Sequence, residues 1–285
     1  MLKKAYVEIT NECNLRCAFC PGTKREKRFM TGAEFDRVLS RLEGRVTYLY
    51  LHLMGEPLLH PELDTLLALA AARGFRVCVT TNGTLLPEKA ETLLRAPTLH
   101  KVSVSLHSFE GNAAQGQAVM SAEEERYLSS AWDFSLRAAA RGVIVALRLW
   151  NSGGLEAHNA AILGFLRRKT GQSDWSEPRA GSFRLAQRIY LERAERFDWP
   201  DPLAGETGTQ FCLALRDQLG VLCDGTLVPC CLDSEGTLSL GNLLDSPLEE
   251  LLSSPRAVAL REGFSRRAPS EPLCRRCGYA VRFNR

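Results

Sequence analysis

The run KAYVEITNECNLRCAFC (residues 4–20) decides how the rest of the chain is read. Val7 and Ile9 alternate with Tyr6, Glu8 and Thr10, a period of two that predicts a strand with one apolar and one polar side. Three cysteines follow at once, Cys13, Cys17 and Cys20, spaced by three residues and then by two. A strand that runs into a loop bearing reactive side chains is the arrangement of parallel α/β folds, whose chemistry sits at the C-terminal ends of the strands.

Further along, strand patterns recur at KKAYVEIT, VTYLYLHL, FRVCVTTN, KVSVSLH, GVIVALRLW and RIYLER. Helical stretches with start and stop signals lie between them. Thr31 and Glu34 form a capping box before a stop at Gly44, Pro61 opens a helix ending at Gly74, and Ser121 with Glu124 opens one ending at Gly142. PEKAETLLRA and LEAHNAAILGFLRRKTG complete the set. Strand–helix repeats of this length predict right-handed βαβ units and a parallel sheet. Six strands suit an incomplete (β/α) barrel and are too few for the eight-fold one.

The strand parities predict a polar lumen. Val7 and Ile9, Leu49, Leu51 and Leu53, Val77 and Val79, Val102, Val104 and Leu106 face the helices. The opposite side carries Tyr6, Glu8, Tyr50, His52, Thr80, Asn82, Ser105, His107, Arg148 and Glu192. Buried parallel sheets are usually apolar on both sides, so a polar interior reads as a cavity for a polar ligand. The stretch 108–119 is expected to be a mobile loop near that site.

The chain has 285 residues, 45% hydrophobic and 24% charged, which suits a globular protein. Thirty-six Lys and Arg against 33 Asp and Glu give +3, too balanced to argue for nucleic acid or an anionic membrane. The N-terminus lacks a secretory signal and no apolar run reaches a spanning length, so a cytoplasmic protein is expected. Ten cysteines there are not a disulfide framework. Three crowd residues 13–20, six lie beyond residue 211 and only Cys78 lies between, which reads as two metal neighbourhoods around a thiol-poor scaffold.

Three is the informative number at the first of these. Iron–sulfur cubanes are otherwise held by four cysteines, and a metal site keeps a position open when something must bind and react there. A zinc knuckle would instead pair Cys-x2-Cys units into four closed ligands. At this point the sequence resembles the radical S-adenosylmethionine (radical SAM) family. CNLRCAFC matches its cluster loop, with Phe19 before the third cysteine. LMGEP (53–57) stands where the family has a Gly-Gly-Glu-like motif, with Met54 in place of the first glycine. TTNGT (80–84) and SVSLH (103–107) match the ends of the third and fourth strands. The resemblance implies a partial (β/α)6 TIM-like barrel and a [4Fe–4S] cluster on Cys13, Cys17 and Cys20 that binds S-adenosylmethionine (SAM). Phe19, Gly55, Glu56, Asn82 and Ser105 become its candidate contacts. It also implies a 5′-deoxyadenosyl radical that takes a hydrogen atom from the substrate.

The tail resembles the SPASM/Twitch extension of that family. Cys212, Gly225 and Cys230 fit its first pattern, CRRC supplies Cys274 and Cys277, and LGVLCDGTLVPCC reads as a hairpin turning at Asp224-Gly225 before a helix in SPLEELLSSPRAVALREGF. Cys212, Cys230, Cys274 and Cys277 would close a second [4Fe–4S] cluster, in the shorter Twitch form, suited to electron transfer. Cys231 is the rival of Cys230, whereas Cys78 and Cys223 read as buried small residues. Residues 1–195 are expected to form the barrel and 196–285 the auxiliary domain.

His52 to Leu59, TNG, His107 and the PC…D…GN pieces resemble the butirosin-pathway aminocyclitol dehydrogenase type of the family. The resemblance implies oxidation of a small polar alcohol with the auxiliary cluster as electron acceptor. Glu8, His52, His107 and Arg148 are then the candidates to bind the substrate or move its proton, Arg148 more as an anion partner than a base. A low-potential flavodoxin or ferredoxin would supply the electron. Maturation of a precursor peptide is the alternative, and the first strand at about residue 4 leaves no room ahead of it for a leader-binding domain. A two-cluster electron carrier is a third reading, though a carrier gains nothing from an open iron.

Overall fold

A computed structural model describes residues 2–111, 121–209 and 211–283. Five segments form the parallel core: β1 (Lys4–Val7), β2 (Tyr48–Tyr50), β3 (Arg76–Thr81), β4 (Leu99–Ser105) and β5 (Ile144–Ser152). A hairpin follows, β6 (Ser176–Arg179) and β7 (Ser182–Ala186), then β8 (Ile189–Glu195), β9 (Gln218–Val221) and β10 (Leu227–Val228). The sheet runs β10-β9-β1-β2-β3-β4-β5-β8-β7-β6. β1 to β5 and β8 are the six expected barrel strands, each parallel to the next. The sheet does not close, so the fold is an open, partial (β/α)6 barrel.

The helices wrap its outer face. They are α1 (Gly32–Leu42), α2 (Leu63–Ala72), α3 (Leu86–Arg95), the single turn α4 (His107–Glu110), α5 (Ala122–Ala140) and α6 (Asn159–Thr170). In α1, Phe35, Val38, Leu39 and Leu42 recur at helical spacing and are fully buried, each worth about 1.5–3 kcal/mol. Thr31 and Glu34 make the expected capping box. Val7, Leu49, Leu51, Val77, Val79, Val102 and Val104 meet these helices in one core.

Several expectations need correcting. Ser121 caps α5 by accepting from the Glu124 amide, but no box forms, because the Glu124 carboxylate turns to His158 Nδ1 at 2.8 Å. Leu53 leaves the helix-facing core and packs with Leu222 and Val228. The β6–β7 hairpin was not expected: SEPR has no alternation, and all four β6 residues are exposed at the sheet edge. The tail helix is two, α7 (Leu248–Leu252) and α8 (Pro255–Ser265), because Ser254 restarts the helix as an N-cap ahead of Pro255. A final turn, α9 (Pro272–Arg275), carries Cys274. The predicted hairpin exists, with Gly225 at φ 87°, but β9 lies parallel to β1, so the tail extends the barrel sheet. Of the loop expected at 108–119, Ser108–Glu110 belong to α4 and residues 112–119 lie outside the described residues. No helix among the described residues is long and apolar enough to cross a membrane.

Candidate active site

The loop after β1 is tied at its neck. Asn11 donates from Nδ2 to the Glu26 carbonyl at 2.8 Å and accepts from the Arg28 amide at 2.9 Å, and Lys27 donates to the Asn11 carbonyl at 2.6 Å. Cys13, Cys17 and Cys20 all lie in the loop so enclosed. The Cys20 amide donates to the Cys17 carbonyl at 2.9 Å, which folds the second spacing into a tight turn. The Ala18 amide donates to the Gly111 carbonyl, and the Phe19 ring lies 5.0 Å from His107, so α4 backs the loop. Cys13 and Cys20 are exposed and Cys17 is partly buried. Burial raises the Cys13 thiol above its usual range, and Glu56, Cys17 and Cys20 raise it further.

Gly55 presses on the same loop. A Cβ there would stand 2.4 Å from the Thr10 carbonyl oxygen and 2.7 Å from that of Glu12, and its φ of 75° independently favours glycine. The next amide, of Glu56, donates to the Glu12 carbonyl at 2.7 Å. The Glu56 side chain turns inward, accepting from Thr81 Oγ1 and the Asn82 amide at 2.7 Å each and from the Leu58 amide at 3.1 Å. It is a brace between the loops after β2 and β3, and burial pushes its carboxyl up to about 7. Asn82 continues the brace by donating to Asn14 Oδ1 at 2.9 Å, while Asn14 donates to Thr84 at 2.9 Å. Glu56 and Asn82 thus hold the cysteine loop in place.

Glu8 is not free to move a proton. Its buried carboxylate accepts from Arg25 at 2.7 and 2.9 Å, from the Met54 amide at 3.0 Å and from the Cys223 amide at 3.2 Å. Arg25, its cationic partner, comes from the cysteine loop itself. Glu8 therefore fastens that loop, β1 and the segment after β9 to one another.

The remaining lumen residues meet around a cavity of about 240 Å³. Tyr6, Tyr50, His52, Thr80, Ser105, His107 and Arg148 line it from the barrel, beside Phe19 and Cys20 from the loop. His107 Nδ1 lies 3.1 Å from the Arg148 carbonyl, which can only accept, and 3.5 Å from the Trp150 amide, which can only donate; the shorter contact favours a proton on Nδ1 and leaves Nε2 as the base. Arg148 donates to Glu192 at 3.2 Å and Thr80 at 3.4 Å and lies 4.4 Å above the Trp150 ring. His52 packs edge-on to Tyr6, and its Nδ1 is buried with no hydrogen-bond partner among the described residues.

Burial, with Arg148 adding to it, drops His52 to about 3, against about 6.5 in the unfolded chain. The unfolded state alone takes up this proton as pH falls from 6.5 toward 3, so stability is lost over that window, at a limiting slope of about 1.4 kcal/mol per pH unit. Urea unfolding at pH 7, 6 and 5 is expected to show a shallower decline for His52→Phe than for the parent protein.

A second set of thiols surrounds a separate, smaller cavity. Cys212, Cys230, Cys274 and Cys277 line it together with Leu238, Phe264 and Leu273. Burial pushes Cys212 up to about 11 and raises the other three. Cys231 faces the other way, into the large cavity, where it packs in one cluster with Tyr6. Cys78 is buried as expected, but it pairs with Tyr50 across β2 and β3 and is not part of the helix-facing core. Cys223 is buried beside Arg25, 3.7 Å from its guanidinium.

The sequence profile of the Radical SAM superfamily matches residues 7–121, and that of SPASM, an iron–sulfur cluster-binding domain, matches residues 212–278. The chain carries a radical SAM domain and a SPASM domain. The probable GTP 3′,8-cyclase of Pyrobaculum aerophilum is 33% identical over 110 residues, 38% of this chain and 35% of that protein. The neomycin C epimerase of Streptomyces fradiae is 32% identical over 111 residues, 39% and 36% of the two chains. The chain thus spans about a third of the length of these curated relatives. Solved structures share the fold over nearly the whole chain. BtrN in complex with AdoMet and 2-DOIA superposes with a TM-score of 0.58 at 17% identity, covering 97% of this chain and 93% of that one. The protein anSMEcpe with AdoMet and the Kp18Cys peptide gives 0.63 at 14%, covering 99% and 90%.

Radical SAM and SPASM domains bind [4Fe–4S] clusters and SAM, and the donor sets here fit that cargo. Four thiols around an apolar cavity suit a closed cluster, and three on a tied, partly exposed loop suit one with an open corner. Among the described residues no three His, Cys, Asp or Glu converge as tightly as a single metal ion requires. The large cavity also has walls that were not foreseen: Trp150, Arg196, Phe197, Trp199 and Tyr279. Phe197 and Trp199 belong to RFDWPDPLAGETGTQ, where two aromatics two positions apart in a polar stretch were a signal.

Proposed function

We propose that this chain cleaves SAM reductively and oxidises a small polar alcohol, with Cys13, Cys17 and Cys20 holding the reactive cluster and Cys212, Cys230, Cys274 and Cys277 the electron-accepting one. When bound, the first cluster and SAM supply the electron and the 5′-deoxyadenosyl radical that removes the carbinol hydrogen. The chain's own residues do the rest. The backbone at Gly55 and the Ser105 hydroxyl orient the methionine end of SAM beside the loop. His107 Nε2, with the other ring nitrogen held by the Arg148 carbonyl, takes the hydroxyl proton. Tyr6, Trp150, Phe197, Trp199 and Tyr279 keep water from the cavity.

The observation that carries an oxidation is the wall between the two cavities. Leu232 lines both, and consecutive residues face one each, Cys231 the large cavity and Cys230 the four-thiol cavity. An electron leaving the substrate would cross about one residue. We read 1–195 as the barrel and 196–285 as the auxiliary unit, with a low-potential flavodoxin or ferredoxin as the electron source. Electron paramagnetic resonance of the reduced, anaerobic protein tests the two-site reading. Added SAM should shift one cluster signal and leave the other unchanged; a shift in both, or in neither, refutes it.

A further inference from the structure

The charges around the large cavity do not balance. Among the described residues that line it, Arg148 and Arg196 are cationic and none is Asp or Glu; Arg196 is paired with Asp198 at 3.2 Å outside the lining, which leaves Arg148 as the cation that matters. The segment 112–120, outside the described residues, contains no Asp or Glu either. His52 and His107 add no acid, and burial keeps both rings neutral near pH 7. The carboxylate beside Arg148, Glu192, is already shared: Lys101 donates to it at 2.8 Å and Arg148 at 3.2 Å. All three side chains are largely buried, so two cations face one anion inside the barrel. Lys4 lies 5.8 Å from the rings of Tyr6 and Tyr50, and its own partner, Asp217, also serves Lys3.

Arg148 is held in a definite pose by this arrangement. Nε is used by Glu192, Nη1 by Thr80, and the guanidinium plane rests on Trp150. Nη2 has no hydrogen-bond partner among the described residues. A fixed guanidinium with a spare N–H edge, in a cavity short of negative charge, is a receptor for a carboxylate. An ammonium group would meet like charge there and find no acidic side chain on the wall.

We infer that the alcohol oxidised in this cavity carries a carboxylate that docks on Nη2 of Arg148, making the substrate a hydroxy acid or acidic polyol and not an amine. This rests on the reading above that the large cavity is the substrate site. Glu192 then acts as a positioning residue, which orients Arg148 while weakening its pull on anions. Trp150 and the tyrosines pack against the carbon chain of the substrate.

Three probes with one carbon skeleton isolate the charge: D-gluconate, D-glucitol and 1-amino-1-deoxy-D-glucitol. Anaerobic calorimetry on the oxidised holoprotein saturated with SAM should find gluconate bound at least about 10-fold tighter than either of the others. Arg148→Gln should erase the preference, and Glu192→Gln should tighten gluconate by about 10-fold, because a competing anion is removed while the fold of the site is kept. Equal binding of the three probes, or none by any, overturns the inference. So does a Glu192→Gln protein with unchanged gluconate affinity, or an Arg148→Gln protein that loses affinity for SAM while its probe preference is intact, since the cation would then serve the cofactor. Reduction of the same samples separates the two readings. Continued 5′-deoxyadenosine formation without acid preference leaves the radical SAM assignment standing and removes only the carboxylate.

Discussion

Changing Cys13, Cys17 and Cys20 together to alanine is expected to halve the iron content, from about eight to about four per chain, and to abolish SAM cleavage, a loss of at least about 1,000-fold. The effect is large because no other thiol can stand in. Cys78 is buried in β3 opposite Tyr50, Cys223 is buried against Arg25, and Cys231 packs with Tyr6. The loop itself should survive the change. Its neck is fastened by Asn11, Lys27 and the Glu8–Arg25 pair, none of which uses a sulfur. Circular dichroism and the urea midpoint of the apoprotein should therefore move little while iron and 5′-deoxyadenosine formation fall. Retained cleavage in the triple variant would end the assignment of the reactive cluster to this loop.

The same comparison explains which parts of the molecule were legible in the sequence. The six barrel strands and their lumen parity were, because period-two patterning is local: Tyr6, Tyr50, His52, Thr80, Ser105, His107 and Arg148 line one cavity as the alternation requires. Leu53 broke the rule where β2 has already ended, at Tyr50, and the pleat no longer dictates direction. Partners distant in sequence were not legible. Nothing in a pattern links Glu8 with Arg25 across a loop of changing direction, nor Glu124 with His158 across two helices. The outer wall was invisible for the same reason. Arg196, Phe197 and Trp199 come from the irregular segment that leaves β8, while Cys231 and Tyr279 belong to the tail that follows β9, which joins the sheet beside β1. Glu56 shows the opposite limit: its motif was noticed, but whether its carboxylate faced a ligand or the Thr81 hydroxyl and Asn82 amide is a matter of a few torsions.

Cys230 and Cys231 give the second large contrast, between neighbours that spacing alone could only rank. Cys230→Ala is expected to lose the auxiliary cluster, with iron falling to about four per chain, while 5′-deoxyadenosine still forms. Product should fall at least about 100-fold, because the substrate radical has lost its electron acceptor. Cys231→Ala should keep about eight irons and both spectroscopic signals. The physical ground is direction: in the bend after β10 the two side chains line different cavities, and only Cys230 faces the one lined by Cys212, Cys274 and Cys277. Cys231 takes the Tyr6 side instead. The pair also controls for folding, since both variants remove one buried thiol from the same turn. If Cys231→Ala loses the auxiliary cluster and Cys230→Ala keeps it, the ligand has been misassigned. If both keep it but product still vanishes in Cys230→Ala, the wall at Leu232 shapes the substrate site and does not pass the electron.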